Sequence, residues 1–424
     1  MSAIAIVAAL IFTAVYVIII TDKLDRTVVA LAGAALMILT GILDQEEAFR
    51  AIDFNTLGLL ISMMVIVFIT QRTGVFQYLA IKACKISKGE PLLILASMSV
   101  ITAVASAFLD NVTTILLMLP ITLDVAKDLR LNPVPFIISE VFASNVGGTA
   151  TLIGDPPNIM IGAKAGLGFM DFIKNDAPVI IPILAVTTIV FVLIYKKRLH
   201  TKEENKKKIM ALNENEAIKD HVLLKKCLIV LGLTITGFIL HGLLQIESST
   251  VAMTGAVVLM LIAKVKIDHV FKEVEWKTIF FFAGLFILVG GLEKVGILRM
   301  IAQGVIDLTG GSMFATTLAI LWVSAIASAF IDNIPFVATM IPLIQALGTM
   351  GITDLGPLWW ALSLGACLGG NGTIIGASAN VVALGMAEES GHKIGFRKYF
   401  KVAFPVMLLT VAISTVYLIV FYLI

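Results

Sequence analysis

Two short stretches put a carboxylate beside an amide where an otherwise apolar chain carries neither. SAFLDNVTTILLMLP starts at Ser106 and SAFIDNIPFVATMIP at Ser328, so Asp110-Asn111 and Asp332-Asn333 each sit between apolar runs of about 15 residues. A second pair interrupts its own helix: SNVGGTATLIGDPPNIMIG, from Ser144 to Gly162, and ACLGGNGTIIGASANVVALG, from Ala366 to Gly385. Glycine costs about 1 and proline about 3 kcal/mol in a helix interior, so neither segment predicts a continuous helix. Close packing accounts for Gly147 or Gly369 singly, but not for Gly-Asp-Pro-Pro-Asn. An unwound turn frees backbone carbonyls, which with carboxylate, amide and hydroxyl oxygens make a donor set for a hard cation.

The candidate binding residues follow from these four stretches. The first tip supplies Asp110, Asn111, Thr113 and Thr114; the first broken segment supplies Ser144, Asn145, Gly147, Gly148, Thr149, Gly154, Asp155 and Asn158. Asp332 and Asn333 form the second tip, and Gly369, Gly370, Asn371, Thr373, Gly376, Ser378 and Asn380 the second break. Glu140, in ISEVFASN, reads either as a proton relay or as a paired structural carboxylate. No Gly-Lys-Ser/Thr loop exists to cradle a phosphate.

The elements that must hold these residues are membrane helices. Of 424 residues, 59% are hydrophobic and 14% charged, and the mean hydropathy is +1.00. Soluble domains carry about 25% charged residues, which excludes a soluble enzyme. Apolar runs recur with lengths near the 20 residues that cross a hydrocarbon core, and they are apolar all round, not alternating as in a β-barrel. The first residues lack a basic region and a cleavage site, so a retained first helix is expected. A net charge of +2 gives no footing for nucleic acid. Cys84, Cys227 and Cys367 match no disulfide or metal spacing.

The chain is one unit used twice. An offset of 222 pairs Asp110 with Asp332, Gly74 with Gly296, Gly147-Gly148 with Gly369-Gly370, Gly154 with Gly376 and Asn158 with Asn380; Glu140 meets Leu362 and breaks the symmetry. After a short insertion the register resumes at 227, pairing Phe169 with Phe396. Internal repeats of this kind mark secondary transporters. Each half predicts five crossings, near 3–20, 27–43, 56–71, 133–163 and 178–195, then near 227–243, 251–263, 278–292, 358–386 and 403–422. Re-entrant hairpins fall near 91–125 and 313–345. A charged stretch, 199–224, reads as a solvated cytoplasmic linker. With it inside, 26 of the 31 Lys and Arg fall on the cytoplasmic face, as the positive-inside rule requires. Five crossings per half make the repeats inverted and put both termini outside a cell membrane.

In this order the four motifs resemble the ion transporter superfamily that includes arsenite permeases and NhaD-type sodium/proton antiporters, with the likeness strongest to the pink-eyed dilution (P protein) branch and its prokaryotic relatives. The resemblance covers nearly the whole chain. It implies an elevator-type homodimer in which scaffold helices (1–90 and 225–312) flank transport elements (91–198 and 313–424). It also implies a sodium site drawn from Asp110, Asn111, Asn145, Gly154, Asp332, Asn333 and Asn380.

Charge favours a cation at that site. Four helix N-termini aimed at the centre supply about +2, whereas Asp110 and Asp332 supply two negative charges and Asp155 a third. Dicarboxylate carriers similar to this chain place Ser at the hairpin tips. Sodium/proton antiport is therefore the favoured expectation, with Na+ as coupling ion and no other cofactor. An arsenite or anion permease, or a passive anion channel, is the alternative; only the arsenite reading calls for a separate ATPase partner.

Overall fold

The computed structural model describes residues 2–21 and 23–424, and every regular element among them is helical. The first repeat runs α1 (Ala3–Thr21), α2 (Arg26–Leu39), α3 (Gln45–Ala51), α4 (Phe54–Gln71), α5 (Val75–Ile86), α6 (Pro91–Phe108), α7 (Asn111–Asp128), α8 (Val134–Thr149), α9 (Pro156–Ala165), α10 (Phe169–Asn175) and α11 (Ala177–Tyr195). A linker helix, α12 (Glu203–Ala211), follows. The second repeat runs α13 (His221–Leu244), α14 (Ser248–Ala263), α15 (Ile267–Lys272), α16 (Trp276–Lys294), α17 (Ile297–Thr309), α18 (Met313–Phe330), α19 (Asn333–Thr349), α20 (Gly356–Gly369), α21 (Ser378–Glu389) and α22 (Phe396–Leu418).

The two halves match element for element, down to the backbone. Gly74 and Gly296, before α5 and α17, take φ of +81° and +78°, a left-handed conformation that side chains resist. One difference matters later: α22 is continuous where α10 and α11 are separate, and Asp176, at their junction, corresponds to Ala403.

The chain turns at both expected tips. Leu109-Asp110 and Ile331-Asp332 are extended, and each aspartate caps the helix that follows, accepting from Thr113 N at 2.8 Å and Ile334 N at 3.1 Å. Carboxylates suit this position because the first backbone N–H groups of a helix lack partners and carry positive charge. The arms are longer than the expected 15 residues, at 18, 18, 18 and 17. At 1.5 Å per residue that is about 27 Å, so arm length does not explain why the tips sit in the interior.

Packing against the broken helices explains it. A Cβ on Gly147 would lie 2.1 Å from Ala103 O, and one on Gly369 would lie 2.5 Å from Ala325 O. The first arm of each hairpin thus meets backbone on α8 or α20, an approach only small residues permit. The breaks fall at residues 150–155 and 370–377, level with the tips: Gly154 and Gly376 abut Ser106 O and Ser328 O, just before each turn.

The linker is more ordered than its composition predicts. Asn205, Ile209 and Ala217 are buried; Thr201 Oγ1 and Asn205 Nδ2 donate to Leu129 O at 2.6 and 3.2 Å. Lys85 pairs with Glu214 at 2.7 Å and holds that carboxyl below its usual range. Charged residues keep one face wet while the other straps the base of the first hairpin.

Candidate functional site at the hairpin tips

The first tip is built locally. Asp110 accepts the Thr113 hydroxyl as well as its N–H, and among the described residues it has no Lys, Arg or His salt-bridge partner. Thr114 Oγ1, buried one residue further on, has no hydrogen-bond partner. From Asn111 an amide chain crosses the molecule. Asn111 Nδ2 donates to Asn145 Oδ1 at 3.0 Å, and Asn145 Nδ2 donates to Asn371 Oδ1 and Asn380 Oδ1, both at 2.9 Å. Ser144 Oγ donates to Asn111 O at 2.9 Å, and Thr149 Oγ1 to Asn145 O at 2.7 Å. All these groups are buried. Buried amides demand partners, and among the described residues only Asn371 Nδ2 in this amide chain has none, so the network fixes the two repeats against each other.

Two of the backbone carbonyls freed at each break are taken by a side-chain amide of the same segment. Asn158 Nδ2 takes Thr149 O and Thr151 O at 3.1 and 3.0 Å; Asn380 Nδ2 takes Gly370 O and Thr373 O, both at 2.8 Å. A buried carbonyl without a partner is costly, and one asparagine per break splices the two half-helices. Thr373 in turn donates to Ala329 O, as Thr151 does to Ala107 O. Gly148 and Gly154 close on each other, as do Gly370 and Gly376. Gly147, Gly148, Gly154, Gly369, Gly370 and Gly376 thus form the close-approach surface between hairpins and broken helices.

The second tip is built across the molecule. Asp332 Oδ2 lies 2.8 Å from Arg26 Nη1, at the start of α2, and 2.7 Å from Ser378 Oγ. Asn333 Nδ2 is 3.4 Å from both carboxylate oxygens of Asp155, in the other repeat's break.

A cavity of about 780 Å³ joins the tips. Its lining includes Asp110, Asp332, Arg26, Ser378, Glu275 and Lys277. Its mouth lies at the linker end of the bundle, since α13 leaves the linker, α14 returns to it with Ile262 O beside Lys226, and α15 and α16 follow. A smaller cavity of about 350 Å³ is its inverted mate: Asn55, Thr56, Ile159, Glu247 and Ser248 line it, each offset by 222 from Lys277, Thr278, Val381, Asp25 and Arg26 of the larger one. The smaller cavity reaches neither tip aspartate.

Glu140 stands apart from both cavities. It is buried on α8 and accepts from Thr122 Oγ1 at 2.6 Å, while its Oε2 has no partner. Among the described residues no three His, Cys, Asp or Glu come together to hold a metal. The three cysteines are free and buried; Cys367, at the repeat position of Asn145, approaches Asn158 Oδ1 at 3.5 Å.

Sequence reasoning missed Arg26, Tyr16 and Asp176. Arg26 counts there only as a membrane-flanking charge, yet its repeat counterpart is Ser248, an asymmetry that marks it. Tyr16 OH donates to Pro335 O at 2.6 Å. Asp176 is buried, with Ser363 Oγ 2.6 Å from its Oδ2 and 2.7 Å from Asn158 Oδ1.

Comparison with known proteins places this site in a transporter. Residues 16–365 match the CitMHS model, described as citrate transporter. A 46 kDa membrane protein of Mycobacterium leprae is 42% identical over 98% of both chains, and an uncharacterized transporter of Mycobacterium tuberculosis is 43% identical over 98% of both. The human P protein is 35% identical over 98% of this chain, which spans 59% of that protein. Among solved structures, the Alcanivorax borkumensis YdaH transporter, described as having an unusual topology, shares the fold at a TM-score of 0.60 and 14% identity, covering 98% of each chain.

Proposed function

Because the chain belongs to the CitMHS citrate transporter family of the ion transporter superfamily, we propose that this multi-pass membrane carrier couples its transport to sodium, protons or both, with sodium/proton antiport as the favoured reaction. Its family and relatives are transporters, not enzymes. One observation carries the coupling: two tip aspartates line one water-accessible cavity, and the only salt bridge at either tip among the described residues is Arg26–Asp332. Asp110 is then a fixed negative charge awaiting a mobile cation or proton, with Thr114 Oγ1 supplying an uncommitted oxygen nearby. A carboxylate without a fixed counter-ion in a membrane interior is costly, and ion or proton binding relieves that cost.

A second reading, cation-coupled uptake of a citrate-like anion, draws on the family's description and on Arg26, Lys272 and Lys277 along the cavity wall. Reconstituted vesicles loaded with a pH dye, challenged separately with sodium, chloride, citrate and arsenite, decide between them. Sodium alone moving protons supports antiport; a pH change that needs citrate supports the anion reading; dissipation without accumulation supports a channel.

The inverted cavities support an elevator motion. Residues 1–90 and 225–312 form a scaffold, paired with a second copy, against which 91–198 and 313–424 shift as an elevator and exchange the large cavity for its mate. The linker is cytoplasmic and both termini are outside. A Cys replacing exposed Lys207 is then shielded from impermeant thiol reagents in intact cells, and one replacing exposed Asp354 reacts; the reverse pattern overturns this orientation.

A further inference from the structure

Among the described residues, Arg26 is the one charged side chain that reaches from α1–α2 to a hairpin tip. Its Nη1 donates to Asp332 Oδ2 at 2.8 Å and to Ser378 Oγ at 2.7 Å, and Ser378 Oγ donates in turn to Asp332 Oδ2 at 2.7 Å. The guanidinium lies over the Phe281 ring, 5.2 Å from its centroid. Ten residues earlier, Tyr16 OH holds Pro335 O of the same hairpin at 2.6 Å. The repeat offset puts Ser248 at the position of Arg26, Phe238 at that of Tyr16 and Pro156 at that of Ser378, so no part of this clasp can form at Asp110. Nor is the pair sealed in the core. The Arg26 side chain is 34% exposed and Asp332 11%, and both line the large cavity.

We propose that Arg26 is a tethered counter-cation: it occupies the Asp332 carboxylate in the empty carrier, and a small monovalent cation entering at Asp332 displaces it and releases the second hairpin from α1 and α2. Attached to the chain, the guanidinium competes at a high effective concentration, which raises the concentration of free cation needed to displace it. It also neutralises Asp332 without loading it. An empty carrier therefore returns with that charge balanced, and cation binding there is linked to the freeing of one hairpin only. The inference rests on the reading of a cation-coupled carrier whose hairpins move against the scaffold.

Two measurements on the full-length protein test it. In the first, sodium is titrated against the melting temperature of the detergent-solubilised chain. Arg26→Gln removes the competing charge, so half-maximal stabilisation should need about tenfold less sodium, Arg26→Lys should restore the wild-type midpoint, and Arg26→Gln with Asp332→Asn should lose the gain. The second needs no identified ion. A Cys replacing Ile331, on the cavity wall, should be alkylated about tenfold faster in the Arg26→Gln background, because the clasp no longer shelters the tip. Faster alkylation without any sodium response retains the tether and discards sodium as its competitor. Unchanged alkylation in Arg26→Gln, or a sodium midpoint that rises or stays put in that variant while wild type responds, overturns the tether. If Arg26→Gln fails to fold, Asp332→Asn removes the carboxylate half of the same pair, and alkylation at position 331 no faster than wild type in that variant also counts against it.

Discussion

The two hairpins share their backbone and differ in what holds them. The first is strapped at its base by the linker, through Leu129, while its tip aspartate is satisfied, among the described residues, by its own helix alone. The second lacks that strap, and its tip is held from outside by Arg26 and Tyr16. A duplicated architecture therefore fixes where two carboxylates stand, and unpaired substitutions outside the repeat motif decide what each one binds. Position is symmetric; occupancy is not.

The largest effect should separate the tips by charge. Asp110→Asn keeps the cap but removes the carboxylate charge that has no salt-bridge partner among the described residues, costing roughly 2–3 kcal/mol of ion binding, a loss of roughly 30-fold or more in transport at fixed ion concentration. Asp332→Asn should also impair transport, yet it leaves Arg26 as an unpaired cation in the cavity, and Arg26→Gln should partly rescue it. Asp110→Asn gains nothing from that second change. Flux assays on the four variants check this, and equal rescue of both tips would erase the proposed difference.

Hydroxyl chemistry sharpens the same contrast. Thr113 and Thr114 correspond to Pro335 and Phe336, and Thr114 Oγ1 is buried without a partner. Thr113→Val with Thr114→Val should raise the sodium needed for half-maximal transport roughly tenfold, about 1.4 kcal/mol, whereas Phe336→Leu should barely move it. Similar shifts from both changes, or sodium-independent transport in wild type, would move coupling away from the first tip.

Where the repeats are alike, substitutions should act alike. A Cβ on Gly154 would lie 2.5 Å from Gly148 O and 2.6 Å from Ser106 O; on Gly376 the matching distances are 2.5 Å from Gly370 O and 2.7 Å from Ser328 O. Gly154→Ala and Gly376→Ala should each destabilise by about 1–3 kcal/mol, seen as matched falls in melting temperature. A large disparity would mean that the second break is held by something its mate lacks.

What the sequence made legible follows from what repeats. Tips, breaks and helix order came through because Asp-Asn, Gly-Gly and the proline pair are local signals, doubled at a constant offset. The Asn158 and Asn380 splices were visible as residues but not as acts, since only three dimensions show an amide reaching back over seven to ten positions. Arg26 was hidden by a general rule: a basic residue beside a membrane span is ordinarily explained by topology, and its partner lies 306 positions away. Asp176 stayed hidden because the crossing near 178–195 leaves it just outside, beside Lys174, and a lone carboxylate there looks like a loop residue until Ser363 is seen against it.

The smallest effect concerns the strap that only the first hairpin has. Asn205 is buried on α12, with Nδ2 donating to Leu129 O at 3.2 Å and to Thr201 Oγ1 at 3.0 Å, and Thr201 supplies its own bond to the same carbonyl. That carbonyl belongs to the C-cap of α7, where helix carbonyls lack intrahelical partners and need outside donors. Asn205→Ala removes one of two donors, so the loss should be about 1 kcal/mol, seen as a fall of roughly 1–2 °C in melting temperature. Leu129 lies nineteen residues from Asp110 along one helix, and if the strap only anchors the hairpin base, the sodium midpoint should not change. A shift in sodium affinity without loss of stability would show instead that the linker sets the position of the first tip, giving each hairpin its own external hold and making the asymmetry one of site, base against tip, with neither tip left free.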